Sequence, residues 1–276
     1  MARVIRQNFF NTIWGSIKFA VFLMAIVVQL PIVLLVPRGR MATAYMRVFM
    51  VILIFIAGIR VRRHGRLTSA RPLLVVCNHI SVFELATFPV AFCGSFFGKK
   101  DIEHWPLVGW VAKKFNVIFV DRRPAHARDA LQAVQQQMAR ATYPMVLFPE
   151  GTTTNGAYVK AFKSTLFNVV ENADVTVQPV VIHYRHRDGT PISNDNLAQH
   201  YAYFDNAKQD MGPRALQERS LVAQVFHIMV IGGFMVEFTA LPPASVGGMD
   251  RKEIAQHLHD DISKTYIELQ DKRSTK

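Results

Sequence analysis

Two residues whose types suit proton transfer, His79 and Glu84, lie five positions apart in the segment 78–84. Glu84 is the first acidic residue of the chain, and every residue before it is neutral or basic. A carboxylate beside a histidine fixes the tautomer of the ring and stabilises the imidazolium that forms when the ring takes a proton. The pair therefore predicts a general base that removes a proton from a hydroxyl group.

The same segment also fits a capping interpretation. Ser81 to Glu84 reads S-x-x-E ahead of an apolar run, with Ser81 as the N-cap of a helix and Glu84 reaching back to the backbone of Ser81. The two interpretations are compatible, because a glutamate in the first turn points back toward the residues that precede the cap. Residues five apart on a regular helix lie about 140° apart, so the pair can meet only if His79 lies outside the helix.

Short β-like runs alternate with helix-like segments after residue 70, which is typical of an α/β fold. The predicted strands span residues 73–77, 116–120, 144–148, 175–183 and 234–240, and the predicted helices span 82–92, 126–141, 213–231 and 250–272. Charged groups follow three strands, at His79, at Asp121 with Arg122, and at Glu150. Because ligands of open α/β sheets bind at the carboxyl ends of strands, we expect one shared site on a central mixed sheet flanked by helices.

The basic excess is concentrated in the N-terminal part of the chain. The net charge is +12, and eleven of the 32 Lys and Arg residues precede Glu84, whereas the remainder is almost neutral. These cations flank apolar runs instead of covering a folded face, which argues against a nucleic-acid-binding domain. We expect residues 1–66 to form a basic, hydrophobic helical hairpin that anchors the chain, and residues 67–276 to form the α/β domain.

The predicted hairpin consists of two apolar runs, 19–36 and 42–59, each of about 18 residues, close to the minimum for crossing a bilayer. The loop between them carries Arg38 and Arg40, although a translocated loop should be poor in Lys and Arg. Pro31 would break or kink the first helix. We expect a hairpin that enters one leaflet or lies at the interface, with its cations on anionic lipids of the cytoplasmic face. Two full membrane spans are the alternative.

Other catalytic chemistries find little support in the residue pattern. The two cysteines, Cys77 and Cys93, lie in apolar surroundings, and no cysteine spacing indicates a metal site. No G-x-S-x-G segment supplies the nucleophile elbow of a serine hydrolase. We therefore expect no metal and no bound cofactor.

Four segments resemble, in order, the sequence blocks of the glycerolipid acyltransferases, a family that includes 1-acylglycerol-3-phosphate acyltransferase and related lysophospholipid acyltransferases. Residues 78–84 resemble N-H-x4-D, residues 116–122 resemble G-x-x-F-I-D-R, residues 148–154 resemble F-P-E-G-T-R-S, and residues 177–182 resemble V-x-P-V-x-I. The resemblance covers residues 70–240, and a helical hairpin before the catalytic domain is also a feature of the family.

By this resemblance, His79 is the general base and Glu84 replaces the aspartate that orients it. The other residues that it implies are Arg122, Glu150, Gly151 and Thr152 at the acyl acceptor, and Pro179 on the acyl-donor side. Independently of the resemblance, a phosphate on the acceptor would need a fork such as Arg122 or a cation such as Lys99 or Lys100. The acyl donor would be acyl-CoA or acyl carrier protein, used as a co-substrate, and the partners would be a lysolipid and the anionic lipids of the bilayer.

The third block departs from the family at Thr153, which replaces an arginine assigned to the phosphate of lysophosphatidic acid. Loss of that charge-assisted contact costs about 1.5 to 3 kcal/mol. We expect an enzyme that acylates the free hydroxyl of 1-acylglycerol-3-phosphate or a related lysophospholipid. The alternatives are another acceptor such as a lyso-aminolipid, or a non-catalytic lipid-binding protein of the same fold.

Overall fold

The computed structural model describes residues 9–105, 108–120, 127–171, 173–190, 192, 197 and 220–271, which form a mixed α/β fold around a seven-stranded sheet. The strands are β1 (Arg60–His64), β2 (Leu73–Cys77), β3 (Ser95–Lys99), β4 (Ile118–Val120), β5 (Met145–Leu147), β6 (Thr176–His186) and β7 (Phe234–Ala240). The helices are α1 (Phe9–Leu35), α2 (Arg40–Ala57), α3 (Glu84–Phe92), α4 (Val108–Lys114), α5 (Ala127–Ala139), α6 (Leu221–Ile231) and α7 (Arg251–Asp271), with 3₁₀ helices at Lys100–His104 and Ser164–Val169.

The strand order is β1-β7-β6-β2-β5-β3-β4. Strands β2 to β6 are mutually parallel, β7 is antiparallel to β6, and β1 is parallel to β7. Every residue of the central strand β2 is buried, as a strand covered on both faces requires. The predicted mixed sheet is therefore confirmed, and each of the five predicted strands is present with small differences at its ends.

The two faces of the sheet carry different sets of helices. The crossovers from β2 to β3 and from β3 to β4 run in the same direction across the sheet, so the right-handed rule for parallel crossovers places α3 and α4 on one face. The hairpin lies on this same face, because α2 packs on α3 and α1 packs on α6. The crossover from β4 back to β5 places α5 on the opposite face, where α7 packs on β6 and on the 3₁₀ helix Ser164–Val169.

Helices α1 and α2 form the hairpin that the two apolar runs predicted. Pro31 lies near the end of α1, which continues to Leu35, so the expected break does not occur. Most of the large apolar side chains of α1 are exposed, and both helices are long and apolar enough to cross a membrane by length and composition. Exposed apolar helices of this kind indicate membrane association.

A close crossing of two glycines joins the hairpin to the sheet. Gly58 ends α2 in the left-handed conformation, and its N–H donates to the carbonyl oxygens of Ile54 and Phe55. A Cβ atom on Gly233 would lie 2.1 Å from the carbonyl oxygen of Gly58, so only glycine permits this approach. Strand β1 follows at once and pairs with β7. The sheet thus begins within residues 1–66, and the boundary at residue 67 stays a prediction.

Candidate active site

The parallel strands deliver polar residues to one edge of the sheet. His79 follows β2, Lys100 follows β3 and Glu150 follows β5, all at carboxyl ends. Asp121 and Arg122, which we expected at the end of β4, lie outside the described residues, as does the side chain of Lys99. The convergence of strand ends expected from the sequence is therefore present for the residues that the structure describes.

His79 contacts Glu84 directly. The ring nitrogen Nδ1 lies 3.0 Å from Glu84 Oε2, and His79 lies in the turn before α3, as the pairing required. The imidazole stacks on Phe148, with ring centroids 4.2 Å apart. The side chain remains 16% exposed, whereas that of Glu84 is fully buried. The Nδ1 side of the ring is thus fixed by Glu84, and part of the ring remains accessible to solvent or substrate.

Both carboxylate oxygens of Glu84 accept hydrogen bonds from other residues. The backbone N–H of Ser81 lies 3.0 Å and 2.9 Å from its two carboxylate oxygens, and the Tyr184 hydroxyl donates to Oε1 at 2.7 Å. The contact to Ser81 is the backward-reaching half of the expected capping box, but α3 begins at Glu84 with Phe83 at its N-cap, so Ser81 is not the N-cap that the sequence predicted. The Ser81 hydroxyl receives a longer bond of 3.5 Å from the Phe83 N–H. Glu84 therefore caps the turn and contacts His79 at the same time.

Tyr184 is a site residue that the sequence reasoning missed. It lies on β6, two positions beyond the fourth block, and is fully buried. Burial, together with the charge of Glu84 and the hydrogen bond to it, raises the pKa of Tyr184 well above its ordinary value. The phenol therefore stays protonated and donates to the carboxylate. The available signal was its position on a central strand beside the strand that ends at His79.

The backbone of His79 is held on both sides by the segment that follows β5. Its N–H donates to Glu150 Oε1 at 2.5 Å, and its carbonyl oxygen accepts bonds from the N–H of Thr154 at 2.9 Å and from the Thr154 hydroxyl at 3.2 Å. The preceding residue, Asn78, exchanges two side-chain bonds with the backbone of Ile182 on β6. These contacts fix the turn that carries the imidazole.

Glu150 is 1% exposed, and its second oxygen accepts the N–H of Lys160 at 2.9 Å. Burial raises the pKa of Glu150 to about 8, against the opposing effect of the two backbone donors. The resemblance implies that Glu150 binds the acyl acceptor, and this role stays a prediction. The contacts that the structure gives are to the backbone of His79 and Lys160, so Glu150 positions the base.

We expect the titration of Glu150 to make the free energy of unfolding depend on pH. The folded state retains this proton up to about pH 8, whereas an unperturbed carboxyl releases it near 4.5. The free energy of unfolding therefore falls as pH rises across this window. Thermal unfolding of the detergent-solubilised protein across the window should show a steeper fall for wild type than for Glu150→Gln, whose amide does not titrate. Equal slopes would contradict this assignment.

The remaining predicted residues lie around this centre. Gly151 occupies the turn after Glu150 with φ +71, and a Cβ there would lie 2.7 Å from Lys163 Nζ. Thr152 is half-buried in the same loop. Pro179 lies on β6 opposite Val76 of β2, and its carbonyl oxygen accepts the N–H of Leu241. The binding roles of Gly151, Thr152 and Pro179 stay predictions. Lys163 is a cation beside this loop that the sequence reasoning did not single out.

Lys100 forms a local ion pair with Glu103. Its Nζ lies 2.5 Å from Glu103 Oε2, and Lys113 contacts the other oxygen at 2.9 Å. Hydrogen bonds from these two lysines lower the pKa of Glu103. A phosphate would therefore compete with Glu103 for Lys100. Among the residues described, no cluster of three or more His, Cys, Asp or Glu side chains is arranged to hold a metal ion.

Comparison with known proteins finds the family that the four sequence blocks resemble. Residues 58–183 match the Acyltransferase family. The chain is 32% identical over 198 residues to the lyso-ornithine lipid O-acyltransferase of Pseudomonas aeruginosa, covering 70% of this chain and 67% of that protein. It is 32% identical over 143 residues to the protein of the same name from Rhizobium meliloti, covering 49% of each chain.

The fold has a counterpart among crystal structures. The 1-acyl-sn-glycerophosphate acyltransferase PlsC from Thermotoga maritima superposes with a TM-score of 0.64 at 17% identity, over 94% of this chain and 97% of that one. This similarity extends from the hairpin to the C-terminal helix. With the four sequence blocks, the contact between His79 and Glu84, and a relative matched over two thirds of its length, it follows that the chain belongs to the Acyltransferase family.

Proposed function

We propose that this chain transfers a fatty acyl group from an acyl thioester to the free hydroxyl of a lysolipid. The observation that carries the proposal is the contact between His79 and the buried carboxylate of Glu84 at the carboxyl edge of the sheet. The identities of the relatives support the reaction class. The acyl donor is acyl-CoA or acyl carrier protein, and the site acts at the membrane surface on the cytoplasmic face.

His79 acts as the general base through Nε2. Since Nδ1 faces the carboxylate, it carries the ring proton and donates to Glu84, which leaves the Nε2 lone pair for the acceptor hydroxyl. The hydroxyl has a pKa far above 7 and needs such a base at the moment of attack. As its proton moves to Nε2, the oxygen bonds to the thioester carbon. The tetrahedral intermediate then expels the thiolate, which takes the proton back from the imidazolium.

The transfer is direct, without an acyl-enzyme. Cys77 is adjacent to the site, but it is fully buried, and burial together with the charge of Glu84 raises the pKa of its thiol well above the ordinary value. It therefore stays a protonated, unreactive thiol. Ser81 is also fully buried, and its hydroxyl bonds to the backbone of the capping turn. Neither side chain is placed to take the acyl group.

The acceptor head group is a lysophospholipid, with a lyso-aminolipid as the second candidate. Two observations favour the second candidate: Thr153 occupies the position of the phosphate-binding arginine, and two relatives are named as lyso-ornithine lipid O-acyltransferases. Lys163 beside Gly151 supplies a cation to the same loop, and it suits either a phosphate or a carboxylate.

An acceptor panel tests both parts of this proposal. The reconstituted full-length protein is given labelled acyl-CoA, or the same acyl group on acyl carrier protein, with 1-acylglycerol-3-phosphate, lysophosphatidylethanolamine or a lyso-ornithine lipid, and acylated product is measured. Thr153→Arg should raise kcat/KM for 1-acylglycerol-3-phosphate at least about tenfold, from a charge-assisted contact of about 1.5 to 3 kcal/mol. The uncharged control Thr153→Leu should not show this increase. Acylation of none of the three lysolipids by wild type would overturn the proposed reaction. Equal responses of Thr153→Arg and Thr153→Leu would overturn the role of this position.

A further inference from the structure

The three tryptophans of the chain are all exposed. Trp14 lies on α1 and is 59% exposed, Trp105 precedes α4 and is 57% exposed, and Trp110 lies on α4 and is 39% exposed. Val108 lies between the last two and is also exposed. The last three lie within six positions of one another in sequence, and several large apolar side chains exposed in one short segment mark a candidate contact surface. We call Trp105, Val108 and Trp110 the α4 shoulder.

The α4 shoulder is fastened to the hairpin. Helix α4 lies on the hairpin face of the sheet, and Phe115 at its end packs on Phe49 of α2, with ring centroids 6.0 Å apart. Lys114 Nζ donates to the carbonyl oxygen of Leu34 near the end of α1 at 3.0 Å. The Asn116 side chain exchanges bonds of 3.1 Å and 3.0 Å with the backbone of Gly39 in the hairpin loop. The shoulder is thus continuous with the exposed apolar helices.

Exposed apolar residues outside the hairpin favour this same face. In the part of the chain that the structure describes, they include Leu85 on α3, and Leu221 and Val222 on α6, besides the α4 shoulder. Elsewhere among the described residues they are limited to Tyr158, in the loop after β5, and Ile267, on α7 at the opposite face. The domain therefore presents one apolar side, and the hairpin is only part of it.

The charge around the shoulder suits an anionic surface. Lys113 is exposed on α4 three residues after Trp110. Arg38 in the hairpin loop and Arg40 at the start of α2 are also exposed, and they flank Gly39, which Asn116 contacts just after α4. Glu103 offsets part of this charge through its pairs with Lys100 and Lys113. Tryptophan mixed with Lys and Arg is the composition of segments that lie at the head-group level of a bilayer.

We propose that the α4 shoulder inserts into the head-group region of an anionic phospholipid bilayer, as a second membrane contact beside the hairpin. This inference rests on the membrane location in the proposed function. Trp105 follows the 3₁₀ helix that leaves the carboxyl end of β3, at the same edge of the sheet as His79. The contact holds that edge against the leaflet, so the hydroxyl of a lysolipid reaches the base without leaving the membrane.

Fluorescence quenching in vesicles tests the contact, because the chain has only three tryptophans. In full-length protein, Trp14→Phe with Trp105→Phe leaves Trp110 as the reporter, and Trp14→Phe with Trp110→Phe leaves Trp105. Each is reconstituted into phosphatidylcholine–phosphatidylglycerol vesicles whose acyl chains carry bromine close to the glycerol or deep in the chain. A protein retaining only Trp14 is the hairpin reference. Ile267→Trp, with the three native tryptophans replaced by Phe, reports the opposite face.

We expect Trp105 and Trp110 to be quenched by the shallow bromines more than by the deep ones, and the reporter introduced by Ile267→Trp to be unaffected. Trp105→Ala combined with Trp110→Ala should lower the vesicle partition coefficient about 70-fold, from on the order of 100 Å² of apolar surface returned to water. Quenching of Trp14 without quenching of Trp105 and Trp110 would overturn the proposal. Emission of Trp105 and Trp110 that changes with protein concentration and not with bromine would also overturn it, because it would indicate contact between protein molecules instead of contact with lipid. The measurement needs no turnover, so an inactive enzyme that is still quenched separates this inference from the proposed reaction.

Discussion

Replacing His79 by alanine is expected to lower kcat for acyl transfer by about 10²- to 10⁴-fold, the usual contribution of a general base. The imidazole is held by Glu84 at 3.0 Å and stacked on Phe148, so its Nε2 is the base that this geometry offers to the acceptor hydroxyl. Without it, the hydroxyl must lose its proton to water during attack. The measurement is the rate of product formation from labelled acyl-CoA and the best acceptor of the panel.

Folding of the His79→Ala protein serves as the internal check. The backbone N–H of residue 79 donates to Glu150 and its carbonyl oxygen accepts from Thr154, so the turn keeps its anchors when the side chain is removed. We therefore expect a thermal midpoint close to wild type. His257→Ala on the partly exposed side of α7 is the matched control and should retain full activity. A His79→Ala enzyme within about tenfold of wild type would reject the mechanism, since such a residue cannot be the base.

The central parts of the fold and site were predictable because their signals are local. The buried run of β2 is five apolar residues long, and the polar segment that follows it carries both His79 and Glu84. Their contact could be inferred because the capping pattern of Ser81 orients Glu84 toward the turn before α3, and this contact is confirmed. The acid and the base belong to one turn, so no long-range information was needed.

The parts that the sequence did not predict depend on contacts between distant segments. Strand β1 reads Arg-Val-Arg-Arg-His, and its charges suggest the flank of a hairpin, because an edge strand with exposed side chains lacks an apolar pattern. Its pairing with β7 is visible only in the fold. The contacts of Tyr184 and Glu150 could not be predicted from the sequence for the same reason. Each reaches the His79 turn from another strand, and a residue's type alone does not show which backbone or side chain it will contact.

Replacing Glu84 by glutamine is expected to lower kcat by about 10²- to 10⁴-fold with a smaller effect on KM for the acceptor. The amide has one acceptor oxygen, and the Ser81 N–H and the Tyr184 hydroxyl compete for it. Its NH₂ group then faces His79 Nδ1, which must accept a bond. The ring proton moves to Nε2, and the imidazole presents a donor where the reaction needs a lone pair. Steady-state kinetics over a range of acceptor concentrations separates kcat from KM.

Two matched variants distinguish this tautomer effect from simple loss of a buried contact. Tyr184→Phe removes one donor to Glu84 but keeps the carboxylate, so it should reduce kcat by about tenfold, as expected for one hydrogen bond to a charged group. Glu84→Asp keeps the charge but shortens the side chain by about 1.5 Å, and should fall between Tyr184→Phe and Glu84→Gln. If Glu84→Gln retained kcat within about tenfold of wild type while folding normally, the orientation of His79 by this carboxylate would not be part of catalysis. An equal loss in Tyr184→Phe and Glu84→Gln would indicate that packing around the carboxylate, and not its charge, sustains the base.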